Sequence, residues 1–386
     1  MFEPNPSGWQ VASADAPHPD PHDPFSNETE FHEYASDYGE VLPQIRLPGF
    51  SLPLMPLPQE RRRIRFYMNL TGGFLAGHFL LMNLLFFILM EVYIFAQTAV
   101  DTAMNGTLPD NYIDLVSDYL TNSSSYLALT ILVIGGSNLF FSLLGCRITK
   151  IPLSTLFQTR DLTAARVFAY VCICLCIQTV TGYAAYGLET LFEGVDITLY
   201  EADFSTTQDV KAVILSFVYS VIVAPVTEEL FMRGFIQKNL SRVSQRFGIV
   251  TTAFLFGIWH ENVAQFILAF VGGCFFGYIA AKHNSLVPSI IVHMCVNFAA
   301  EAFTFCETYS FDTAYELLNW FYTGLVLIGA VVLLVMLIRE RMPRSTPAQQ
   351  ERGLRMLLTS PLMLLGIIIH VGAAVVYIVE ATQGEL

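Results

Sequence analysis

Residues 211–236 read KAVILSFVYSVIVAPVTEELFMRGFI. The run is longer than the roughly 20 apolar residues that carry an α-helix across a bilayer, yet it contains Glu228, Glu229 and Arg233. A charged group at bilayer depth costs roughly 2.5 to 3.5 kcal/mol on insertion scales, and such groups commonly line a cavity or a functional path. The stretch therefore predicts a membrane helix that carries a polar site.

The rest of the chain fits that setting. It has 386 residues, 54% of them hydrophobic and 14% charged, against roughly 25% charged in an ordinary globular protein. Apolar segments recur at about 67–97, 125–146, 165–188, 211–236, 248–262, 264–281, 286–305, 317–338 and 357–379. The predicted fold is an all-α, polytopic transmembrane bundle of about nine segments. The 248–262 segment is short and has the least defined boundary. Positive charge in short loops favours the cytoplasm. With alternating spans, 18 of the 20 Lys and Arg fall on the side of the N-terminus, leaving Lys211 opposite and Arg233 within the site. A cytoplasmic N-terminus is expected, with the cell membrane of a prokaryote as the expected location.

Residues 1–60 read as a disordered, proline-rich, acidic cytoplasmic tail ahead of a transmembrane domain at 61–386. Positions 1–45 carry nine acids and no Lys or Arg, too little apolar surface to offset chain entropy. The net charge of -13 and the absence of Walker or Rossmann patterns argue against nucleic-acid partners and nucleotide-driven transport. No cationic stretch followed by an apolar run opens the chain, so the first membrane helix is expected to direct targeting. Seven cysteines lie in or beside apolar segments, where free thiols are ordinary packing residues.

Three spaced groups carry the chemistry. Glu229 and Arg233 are four apart and share a helix face, the spacing of an ion pair, whereas Glu228 points about 100° away. Pro225 lacks an N–H and is expected to kink the helix just before the acids. Phe256 and His260 form a second group. His293 and Asn297 form a third, an imidazole and an amide on one face of a helix, able to donate to one point. Each group alone could equally brace neighbouring helices. His78, Asn83, Glu91 and His370 also lie in apolar segments but lack a spaced partner in the sequence, so helix packing or interface placement is their expected role. Ala264 follows Glu261 where a zincin would place its second histidine.

Together the three groups resemble the signature of the type II CaaX prenyl endopeptidase and bacteriocin-processing (CPBP) superfamily of intramembrane proteases: Glu-Glu-x-x-x-Arg, Phe-x-x-x-His and His-x-x-x-Asn. Flanking Pro225, Gly234, Gly272, Gly277 and Pro288 look similar too, and the likeness covers about 165–304. The resemblance implies an intramembrane endopeptidase in which Glu228 is general base on a water oriented by His260. His293 and Asn297 would stabilise the oxyanion, with Glu229, Arg233 and Phe256 in support. The implied partners are the lipid bilayer and a peptide or lipidated-protein substrate. No cofactor is expected. Zinc is the competing possibility, since Glu228, His260 and His293 are also plausible ligands. A noncatalytic membrane scaffold or bacteriocin-immunity-type protein of the same fold, or a proton-coupled carrier, are the alternative functions. The scaffold's expected mark, loss of Glu228 or a motif histidine, is not seen.

Overall fold

The computed structural model describes residues 58–105, 123–159, 162–199, 210–340 and 347–383. Nearly all of the expected acidic tail lies outside them. The described residues are helical and contain no strand. We number the helices α1 (Pro58–Asn105), α2 (123–149), α3 (Ala164–Glu193), α4 (210–240), α5 (Gln245–Ile258), α6 (Val263–His283), α7 (Val287–Thr308), α8 (Asp312–Arg339), α9 (Pro347–Leu358) and α10 (Pro361–Gln383).

Eight of these are long and apolar enough to cross a membrane: α1 to α4, α6 to α8 and α10. The protein is an integral, multi-pass membrane protein. The expected fifth span is the 14-residue α5, short of the roughly 20 residues a crossing needs. It stops at Ile258 because the next residues reverse the chain. Glu261 takes a left-handed φ of 56°, and the Asn262 side chain caps α6 by accepting from the Gln265 amide at 3.0 Å. Two elements escaped the sequence reading: a 3-10 helix at Leu153–Phe157 and α9, a short helix within the basic connection to the last span.

Helix α4 lies at the centre, with every residue from 227 to 240 buried. It packs against α2, α5, α6 and α7, while α1 and α10 pair along one flank and α3 with α8 along the other. Outer faces stay apolar: Leu317, Trp320, Phe321, Leu327 and Val331 of α8 are all exposed, as expected of surface that meets lipid tails rather than water.

Two wide, π-type turns interrupt α4, at Val218–Val223 and Leu230–Gln237, with α-helical Ala224–Glu229 between them. Such turns concentrate at functional sites. The break expected near Pro225 is a wide turn that ends at Val223, directly before the pair Ala224 and Pro225, and Pro225 lacks the N–H an unbroken helix would require.

Candidate functional site within the membrane

The two adjacent glutamates have different surroundings. Glu229 Oε1 accepts from Arg233 Nη1 at 2.7 Å and from His293 Nδ1 at 3.2 Å, and the Glu229 and Arg233 side chains are fully buried. Arg233 also donates through Nη2 to the Gly273 carbonyl at 3.2 Å, and its guanidinium lies 4.5 Å from the Phe256 ring centre and 5.3 Å from that of Phe276. One turn along, Gln237 Nε2 donates to the Gly277 carbonyl at 3.0 Å. A Cβ at Gly277 would come within 2.6 Å of Gln237 Oε1, so glycine there lets α6 approach α4 closely. Gly272, by contrast, faces open space.

Glu228 keeps 11% of its side chain accessible, and its Oε2 stands 4.0 Å from His293 Nε2, beyond hydrogen-bond length. It is therefore the acid that a water or substrate can reach. The sequence spacing assigned Arg233 to Glu229, and the contacts agree.

His260 sits in the turn after α5. Its Nδ1 lies 2.7 Å from the Phe256 carbonyl. A carbonyl only accepts, so Nδ1 carries the proton and Nε2 of the neutral ring presents a lone pair. Phe256 meets the His260 ring edge-on at 4.7 Å and the His293 ring edge-on at 6.2 Å, so this motif phenylalanine borders both imidazoles as well as Arg233.

His293 stacks on Phe276 with ring centres 4.9 Å apart. Since its Nδ1 gives its proton to Glu229, Nε2 can donate only in the doubly protonated ring. Asn297, one turn further along α7, donates from Nδ2 to the Ser220 carbonyl at 2.7 Å, inside the first wide turn of α4. Its second N–H stays available for another acceptor. The structure thus brings Glu228, Glu229, Arg233, Phe256, His260 and His293 together, with Asn297 at the edge of the group.

Among the described residues, no three His, Cys, Asp or Glu side chains are grouped so as to hold a metal ion.

Sequence spacing missed several residues. Glu301 continues the His293–Asn297 face one turn on, accepting from Ser220 Oγ at 2.6 Å; its signal was the repeated four-residue step. His78 and His370, read as lacking a spaced partner, have tertiary ones: His78 Nε2 bonds Asn138 Oδ1 at 2.7 Å and His370 Nδ1 bonds Glu261 Oε1 at 2.7 Å. Asn83 bonds locally, to the Phe79 carbonyl.

Fold and site together define a polytopic helical membrane protein with a carboxylate–histidine site among its central helices. Residues 210–299, which hold all three motifs, match the type II CAAX prenyl endopeptidase Rce1-like family. Through this segment the chain is similar to CAAX-protease-type intramembrane proteins. Comparison with curated proteins and with solved structures found no match.

Proposed function

We propose that the protein is an intramembrane endopeptidase that hydrolyses a peptide bond of a membrane-associated or lipidated substrate with a water activated by Glu228. The observation that carries this reading is the division of labour between the neighbouring acids: Glu229 is committed to Arg233 and His293, and Glu228 is left partly accessible beside His293.

In this mechanism Glu228 takes a proton from the water, whose position is set by the His260 Nε2 lone pair. The water oxygen bonds to the scissile carbonyl carbon. Negative charge gathers on the carbonyl oxygen and is met by the Nε2–H that His293 carries when its ring is doubly protonated and by the second N–H of Asn297. Such donors gain strength where water is excluded. The C–N bond then breaks, and the proton held by Glu228 passes to the leaving amine. Arg233 and Glu229 fix the helix face that presents Glu228.

The cleavage of prenylated C-termini, maturation of small peptides and regulated proteolysis all fit this chemistry. A prokaryotic host without protein prenylation would favour the latter two. Mass spectrometry of the membrane peptidome, comparing wild type with Glu228→Ala, tests both activity and substrate class. New peptide termini present only with wild type support the reading. Proton flux into liposomes with no new termini would favour a carrier.

A further inference from the structure

Trp259 and Glu261 flank His260 in the chain, and each is held by a histidine from outside the matched segment. Trp259 Nε1–H donates to His78 Nδ1 on α1 at 3.3 Å. An indole can only donate, so the His78 proton sits on Nε2, which donates to Asn138 Oδ1 on α2 at 2.7 Å. Asn138 Nδ2 donates to Thr227 Oγ1 at 3.2 Å, and the Thr227 hydroxyl donates to the Val223 carbonyl at 2.9 Å. Every bond runs in one direction. The chain joins the residue before His260 to the residue before Glu228 through a fully buried histidine that also stacks on Phe231 with ring centres 5.5 Å apart.

The other flank has its own anchor. His370 on α10 is buried, and its Nδ1 donates to Glu261 Oε1 at 2.7 Å. Glu261 holds φ 56°, a conformation that L side chains rarely adopt and that persists only where the surroundings enforce it. The two histidines belong to helices in close contact. A Cβ at Gly72 of α1 would lie 2.1 Å from the Met363 Cα of α10, and Phe79 meets the His370 ring edge-on at 5.3 Å.

We propose that His78 and His370 are positioning residues that clamp the His260 turn from both flanks and fix its imidazole relative to Glu228. The terminal helices would then complete the site, in place of serving only as membrane anchors. The catalytic consequence rests on the protease reading above.

The test compares His78→Phe and His370→Phe, which keep a ring but remove the bonds, with His78→Gln and His370→Gln, which keep a donor and an acceptor. Full-length protein in proteoliposomes is used throughout. One arm follows backbone amide exchange across 258–262. The other measures kcat and KM on an internally quenched, farnesylated Cys-a-a-X peptide. Each Phe variant should exchange faster at 258–262 and lose kcat by up to about a hundredfold, the loss that roughly 1 Å of misplacement can cause. KM should stay within about twofold, as expected when only transition-state interactions are lost, and the Gln variants should recover part of the rate.

Unchanged exchange at 258–262 overturns the clamp. So does faster exchange with an unchanged rate in a protein whose wild type cleaves the peptide. If wild type cleaves no such peptide, the exchange arm alone decides the clamp, and the failure falls on the prenylated-substrate form of the protease reading. Should His78→Phe not fold, Trp259→Phe removes the same bond from its donor end and carries that arm.

Discussion

Arg233 donates to Glu229 across 2.7 Å with both side chains wholly out of solvent, one residue beyond an acid that keeps partial access. Breaking one partner of a buried pair leaves the other charge uncompensated, at a cost of about 3 to 5 kcal/mol. Glu229→Gln should therefore lower the melting temperature and the yield of folded protein. Arg233→Lys should do the same, since an ammonium cannot bridge Glu229 and the Gly273 carbonyl as a planar guanidinium does. Thermal unfolding of the purified variants in one detergent checks this, and wild-type stability in both would remove the supporting role.

The proposed mechanism directs the second N–H of Asn297 to the oxyanion. Asn297→Ala should reduce kcat by about a hundred- to a thousandfold, the range for loss of one such donor, with little change in KM. Steady-state kinetics on a quenched peptide distinguishes this from a loss of binding, which would raise KM instead.

The basic loops predict topology. In a background free of native cysteines, single cysteines at Lys150 and Lys282 should react with an impermeant thiol reagent from the cytoplasmic side, and those at Glu193 and Glu307 from the other. Reaction of Glu193 and Lys282 positions from the same side would overturn the orientation.

If Glu228 and His260 activate water without a metal, purified protein should hold well under one equivalent of zinc and should keep cleaving in excess chelator. Elemental analysis and the chelated rate read this together. Stoichiometric zinc whose removal stops the reaction, and whose return restores it, would replace the metal-free mechanism and leave the protease reading standing.

Much of this architecture was legible in the sequence because membrane helices are written locally. Length and hydropathy announce a span, and a four-residue step announces a shared face, which is how Glu229 was paired with Arg233 before any contact was known. What escaped was set by tertiary packing. The His78–Trp259 and His370–Glu261 bonds join residues 181 and 109 positions apart, and no periodicity encodes such a pairing. The end of α5 depends on the left-handed turn at Glu261, whose neighbours give no glycine to mark it. The short α9 was obscured by basic residues that also suit a loop. Asn297 was correctly placed one turn from His293, but its bond to the Ser220 carbonyl depends on a wide turn that composition does not reveal.

The most direct test of the central claim is a cleavage assay of wild-type protein against Glu228→Gln in proteoliposomes, with new peptide termini identified by mass spectrometry. The substitution keeps the shape of the side chain and removes the base. The account predicts that Glu228→Gln folds with near-wild-type stability while cleavage falls by at least about a hundredfold, in line with the loss of a general base. Equal cleavage by the two proteins would contradict it.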